Sequence, residues 1–157
     1  MRAYGDSSFL AKLVSPEQGS DAAQAEYRRL DLPPLFFLPL HALEVENAIQ
    51  QRAFFHRRSL PSGRRDAVAR ERIAASARLQ WMLNRGAFCE TPADWDQAVT
   101  SALALAARHT ERLGARTYDL LHVAFALELK AERFLTTDER QAALAKAEGL
   151  TVIFLKD

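Results

Sequence analysis

Apolar positions in this chain follow two alternating rhythms. Short, nearly continuous runs recur at residues 2–5, Leu35–Leu38, Ala87–Cys89, Phe134–Thr136 and Thr151–Leu155. Such runs suit strands buried on both faces, and the last is rich in β-branched residues. Between them, apolar residues recur every three or four positions, the period of a helix with one buried face. This spacing predicts helices over Phe9–Val14, Asp21–Leu30, His41–His56, Arg65–Leu83, a stretch opening near Thr91, a nearly all-apolar one opening at Thr117, and Glu139–Ala147. In the Arg65–Leu83 helix the periodic positions include Val68, Ile73, Ala77 and Trp81. In the helix after Thr91 they are Trp95, Ala98, Val99, Ala102, Leu103 and Ala106.

The boundaries carry their own chemistry. Ser7 or Ser8 is expected to cap the first helix, and Ser15-Pro16 to end it. Thr91-Pro92-Ala93-Asp94 reads as a helix start, with Thr91 as cap and Pro92 in the first helical position. Pro61-Ser62-Gly63 marks a turn, and Gly86 suits a left-handed C-terminal cap. Strands alternating with helices predict a mostly parallel sheet covered by helices, a three-layer α/β/α sandwich. With no repeat and no long linker, residues 1–157 are expected to form one domain, with a helical hairpin at about 41–83.

Composition narrows the function classes. The chain has 157 residues, is 48% apolar and 26% charged, and so is globular rather than disordered. A formal net charge of +1 means that attraction to nucleic acid must come from local patches. Cys89 is the single cysteine, which excludes an internal disulfide and a cysteine zinc site. Without a leader pattern or an apolar stretch near the ~20 residues of a membrane helix, the expectation is a soluble cytoplasmic protein.

The candidate chemistry lies in four acids, Asp6, Glu44, Asp119 and Asp138. Asp6 and Asp138 each follow a predicted strand. Glu44 lies early in the helix after the second strand, and Asp119 in the first turn of the helix opened by Thr117. In parallel sheets these places share the carboxyl edge. Carboxylates gathered there repel one another, at roughly 4 kcal/mol per pair at ~4 Å and an effective dielectric near 20. Hard oxygen ligands so placed select Mg²⁺ or Mn²⁺. Taken singly, Asp6 and Asp138 also read as helix caps, and Glu44 competes with Glu46.

Tyr4-Gly5-Asp6-Ser7-Ser8-Phe9-Leu10 resembles the opening of a PIN domain. Glu44-Val45-Glu46-Asn47-Ala48-Ile49, Thr117-Tyr118-Asp119-Leu120-Leu121-His122-Val123-Ala124 and Phe134-Leu135-Thr136-Thr137-Asp138 resemble its later motifs, in the family's order. In style the chain is similar to the VapC-like toxins of bacterial toxin–antitoxin pairs. The resemblance implies a metal-dependent endoribonuclease whose metal-binding acids are Asp6, Glu44, Asp119 and Asp138. It suggests Ser8 and Thr136 as hydroxyl partners of the acids, and a homodimer with an inhibitory antitoxin.

The residues themselves agree with hydrolysis by metal-activated water, since no nucleophile triad motif is present. The four histidines, His41, His56, His109 and His122, lack ligand spacing. His122, one turn from Asp119, is expected to pack or hydrogen-bond beside the site. RNA would need cations nearby. Residues 56–72 hold six arginines, Arg64 and Arg65 among them, against two acids. Arg116 adjoins Asp119 as a second phosphate candidate, or as its ion-pair partner. Phe54, Phe55, Trp81 and Trp95 are either core or a surface for a second copy or an antitoxin helix. Two other functions compete. One is a catalytically inactive PIN-like binding or scaffold module. The other is phosphotransfer with Asp6 as nucleophile, although such sites want a second Asp where Ser8 stands.

Overall fold

The structure, a computed structural model, describes residues 2–61, 63 and 65–156. The Arg64 expectation and part of the Pro61-Ser62-Gly63 turn lie outside them. The elements run β1 (Ala3–Gly5), α1 (Ser7–Val14), α2 (Ser20–Arg29), β2 (Leu35–Phe37), α3 (Pro39–Ser59) and α4 (Arg65–Asn84). They continue with β3 (Phe88–Glu90), α5 (Trp95–Leu113), α6 (Thr117–Glu128), β4 (Arg133–Thr136), α7 (Glu139–Ala147) and β5 (Thr151–Phe154). The five strands form one sheet in the order β3-β2-β1-β4-β5, and every pairing is parallel.

Alternation along the strands builds two cores. Ala3, Leu35, Phe37, Phe88 and Leu135 point to one face, where α1 to α4 pack on them. Tyr4, Phe36, Phe134 and Val152 point to the other, under α5, α6 and α7. Each fully buried aromatic or leucine contributes roughly 1.5–3 kcal/mol, so both helical layers are held by apolar burial. The expected three-layer sandwich is therefore the observed one, and its sheet is parallel throughout.

Burying both sheet faces forces α6 to be apolar nearly all round. Val123, Ala124, Phe125 and Ala126 have no exposed surface. Gly5 has a steric role: a Cβ there would meet Phe9 Cδ1 and Leu10 Cδ2 at 3.1 Å, so its absence lets α1 turn tightly over the end of β1.

Several boundaries differ from the sequence expectation. Asp6, not Ser7 or Ser8, caps α1, accepting from Phe9 N, because its carboxylate reaches the helix N-terminus one residue earlier. Asp94 rather than Thr91 caps α5, and the Thr91 hydroxyl donates to Cys89 O instead. Helix α3 begins at Pro39, whose fixed φ suits the first helical position. Arg116 holds the cap position of α6, and Thr117 is its first helical residue.

The buried face of α5 differs from the expected one, and α4 buries only Val68 of the four apolar positions named above. On α4 the buried positions are Val68, Ala75, Leu79 and Met82, while Ile73 and Trp81 are exposed. On α5 they are Ala98, Ala102 and Leu105, while Val99 and Leu103 are exposed. Both helices carry two apolar stripes, and periodicity alone does not say which meets a neighbour.

Candidate active site

The strand order places β1 between β2 and β4, so the chain's winding reverses direction beside β1. The carboxyl edge at such a reversal is where open parallel sheets form clefts. Asp6 follows β1, with its backbone N–H donating to Leu135 O at 2.9 Å and continuing the ladder to β4. Asp138 leaves β4 by way of Thr136 and Thr137. Glu44 lies in the second turn of α3, and Asp119 in the first turn of α6. All four expected acids therefore reach one rim.

Each acid has protein partners. Asp6 is fully buried, and its Oδ1 accepts from Phe9 N at 2.9 Å and Ser8 Oγ at 2.7 Å, while Oδ2 accepts from Thr136 Oγ1 at 2.6 Å. Cap and rim carboxylate are thus one role, not alternatives. Burial pushes the Asp6 carboxyl above its usual range, partly countered by the charge of His122 and by its three donors. Ser8 Oγ also accepts from the Thr137 backbone and hydroxyl, which ties α1 to the end of β4. The Ser8 and Thr136 hydroxyls accordingly both stand against Asp6.

Glu44 rather than Glu46 faces the cleft; Glu46 points outward and accepts from Gln50. Glu44 Oε2 accepts from Ser7 Oγ at 2.7 Å and lies 2.7 Å from His122 Nε2. Burial pushes the Glu44 carboxyl up, but the His122 bond and charge, with Ser7, outweigh it and hold it below the usual value.

His122 is itself buried, and its Nδ1 lies 2.8 Å from the Tyr4 hydroxyl. Burial, then the charges of Asp6 and Glu44, hold the Tyr4 phenol protonated. The Tyr4 hydroxyl thus partners Nδ1 of His122, and the ring's other nitrogen, Nε2, faces Glu44. His41 stacks on His122 with centroids 5.2 Å apart and accepts from Leu38 N through Nδ1. Burial, then the charge of His122, pushes His41 well below the ordinary imidazole range, so it is neutral.

Asp119 is buried and accepts from the Arg116 backbone at 2.8 Å. The Arg116 guanidinium contacts Asp119 Oδ2 at 3.3 Å and Oδ1 at 3.4 Å, and Asp138 Oδ2 at 2.8 Å. Asp138 Oδ1 meanwhile caps α7, accepting from Arg140 N and Gln141 N.

These side chains wall a cleft of about 260 Å³, which Ser7, Ser8, Glu44, Arg116, Asp119, His122, Asp138 and Gln141 help to line. Asp6 lies beneath its wall, behind Ser8. Sequence reading missed the parts played by Ser7, Tyr4, His41 and Gln141. Ser7 carried one usable signal, its place beside Asp6. Gln141 is buried, and its Oε1 has no partner within the protein.

Arg65 does not line the cleft. It opens α4 at the hairpin tip, and the run of α3 from Glu44 to Ser59 is about 22 Å at 1.5 Å per residue. Phe54 and Phe55 are exposed on α3, Trp81 on α4 and, less so, Trp95 on α5, so none of the four is fully core.

A family model described as PIN domain matches residues 3–147. The chain belongs to the PIN domain family. No curated protein matches it. PIN domains are in general nucleases that use divalent metal ions. The donor types, carboxylate oxygens brought from four elements to one rim, are those a hard divalent ion takes, but they do not stand clustered as a ligand set. Among the described residues no three His, Cys, Asp or Glu side chains are grouped closely enough to hold a metal. Arg116 supplies positive charge in their midst instead.

Proposed function

We propose that this PIN domain is a Mg²⁺- or Mn²⁺-dependent endoribonuclease, the toxin of a toxin–antitoxin pair, built as one domain and working in the cytoplasm. The observation that carries the reading is the convergence of Asp6, Glu44, Asp119 and Asp138 on one rim, with hydroxyl and imidazole groups holding them. In this reading those four acids hold the ion. The ion, when bound, lowers the pKa of water and neutralises charge growing on the phosphodiester.

The chain's own residues do the rest. Thr136 and Ser8 aim Asp6, as His122 and Ser7 aim Glu44, and the Arg116 backbone orients Asp119. The buried Tyr4–His122 pair holds the imidazole with Nε2 toward Glu44, which keeps that carboxylate positioned. Arg116, at the cleft mouth, is placed for an RNA phosphate. In the sequence, Arg64 and Arg65 fall within the arginine-rich stretch 56–72, which this reading assigns to RNA beyond the cleft.

A homodimer and an antitoxin are the partners this reading implies. A cleft of about 490 Å³ lined by Tyr27, Leu32, Trp81 and Met82 supports a protein partner, as do exposed Phe54 and Phe55. No helix among the described residues is long and apolar enough to cross a membrane.

The test is RNA cleavage by purified Asp6→Asn and Asp119→Asn, with circular dichroism to show that the fold is kept. Cleavage should vanish in both, and undiminished cleavage by either defeats the assignment. A second reading, a non-catalytic scaffold, draws on the fact that every acid already has a protein partner. Mn²⁺ titration separates the two, because a scaffold has no need of the ion.

A further inference from the structure

We propose that Arg116 is a tethered counter-ion: it occupies the acidic cleft while no metal is bound, and yields its place when the divalent ion enters. The inference rests on the metal-nuclease reading above. Asp119 has a nearly buried side chain, and Asp138 is mostly buried. Two carboxylates held at one rim repel strongly unless a cation lies between them. The Arg116 guanidinium contacts both, through Nε and Nη2. At these oxygens a guanidinium competes with a metal for the same lone pairs and repels a second cation.

The geometry also makes the exchange cheap. The Arg116 side chain is 58% exposed, so its head group can swing into solvent along its flexible stem. Its backbone N–H bond to Asp119 Oδ2, at 2.8 Å, belongs to the helix start and does not depend on the side chain. Asp119 therefore keeps its aim after the guanidinium leaves. Asp138 likewise keeps its cap bonds to Arg140 N and Gln141 N through the other oxygen. Gln141, 7% exposed and lining the cleft, leaves its carbonyl oxygen without a donor from the protein, so the cleft also offers an uncommitted oxygen acceptor. Displaced from the acids, the guanidinium remains at the mouth, free to grip a phosphate oxygen of incoming RNA. One residue so couples ion loading to substrate capture.

A competing internal cation lowers apparent ion affinity by the fraction of molecules in which it has moved aside. Removing it should tighten Mn²⁺ binding. The experiment is calorimetric Mn²⁺ titration of wild type, Arg116→Gln and Arg140→Gln. Arg140 is the control for bulk charge, since its guanidinium comes no nearer than 3.9 Å to the capping oxygen Oδ1 of Asp138, not the oxygen that Arg116 contacts. Arg116→Gln should bind Mn²⁺ about fivefold or more tighter, within the usual range of two-state coupling, and melt at lower temperature in chelator. Arg140→Gln should change little.

The wild-type protein gives a second readout that needs no variant. The Nε–H resonance of Arg116 should move during Mg²⁺ titration and saturate with ion binding. Unchanged or weaker Mn²⁺ binding by Arg116→Gln overturns the inference, as does equal tightening in Arg140→Gln or a static Arg116 resonance at Mg²⁺ saturation. If neither wild type nor Arg116→Gln binds Mn²⁺, the metal reading itself falls and takes this inference with it.

Discussion

Thr136 Oγ1 donates a 2.6 Å hydrogen bond to Asp6 Oδ2, joining the carboxyl ends of β1 and β4. The same oxygen accepts from Asp138 N at 2.9 Å, so one hydroxyl sets two of the rim acids. Thr136→Val keeps the shape and removes both bonds. It should cost about 1–3 kcal/mol in urea unfolding with chelator present, the penalty for stranding buried polar groups. It should also move the Asp6 titration, followed by carboxyl carbon NMR, to still higher pH. An unshifted Asp6 signal would contradict the role given to Thr136.

Asp6 itself predicts a pH effect. Its carboxyl is raised in the fold, above the usual 3.8, chiefly by burial. Between the unfolded and folded pKa values the native state holds the extra proton, so stability falls as pH rises through that window. In chelator, Asp6→Asn should lack this loss. It should be more stable than wild type at neutral pH, and the gap should close below the unfolded pKa. Urea curves across a pH series measure the difference, and a gap that widens toward acid would reverse the argument.

Tyr4→Phe isolates the buried imidazole. The ring stack on Phe134, with centroids 5.5 Å apart, survives the change, but His122 Nδ1 loses its hydrogen-bond partner. The expected loss is about 1–3 kcal/mol. With the His122 ring less firmly held against Glu44, RNA cleavage should drop roughly 10–100-fold if the proposed metal role of Glu44 holds. Wild-type cleavage rates in this variant would remove the Tyr4–His122 pair from the mechanism.

A lock far from the cleft offers the opposite pH sign. Glu148, after α7, takes Arg108 Nη2 at 2.9 Å and His109 Nε2 at 2.5 Å from α5. Burial raises its carboxyl, but His109 and Arg108 outweigh that and hold it below 4.5. Its contribution is therefore present above the unfolded pKa and is lost as pH falls through the folded one. Glu148→Gln should cost up to about 1 kcal/mol at pH 7, since the partners are partly exposed. At acid pH the two proteins should melt together.

Leu103 tests the corrected face of α5. It is 68% exposed, so Leu103→Lys should change stability by no more than about 0.5 kcal/mol. A loss well above that in thermal melts would show that a partner covers this face in solution.

Much of this was legible in the residues. The strands at Ala3–Gly5, Leu35–Phe37 and Arg133–Thr136 coincide with dense apolar runs, because a sheet buried on both faces leaves no room for polar positions. Asp6, Asp119 and Asp138 stood at or beside the ends of elements, where strand-to-helix turns are readable, and Glu44 early in the helix after the second strand. The buried stripes of α4 and α5 were not legible, since Ile73, Trp81 and Leu103 are as apolar as the residues that pack. Nor was the pairing of Tyr4 with His122, which lie 118 positions apart and meet only once β1 and α6 are stacked.

By itself, then, the order of residues determined the alternation of strands and helices, the parallel sheet and the shared rim of the acids. These follow from local periodicity and from the direction in which a parallel sheet presents its strand ends. Only the tertiary structure decided what each acid touches: Thr136 and Ser8 at Asp6, His122 and Ser7 at Glu44, Arg116 between Asp119 and Asp138. Those contacts depend on how helices lie across the sheet to within an ångström. That placement is set by packing summed over both cores, and no single segment encodes it.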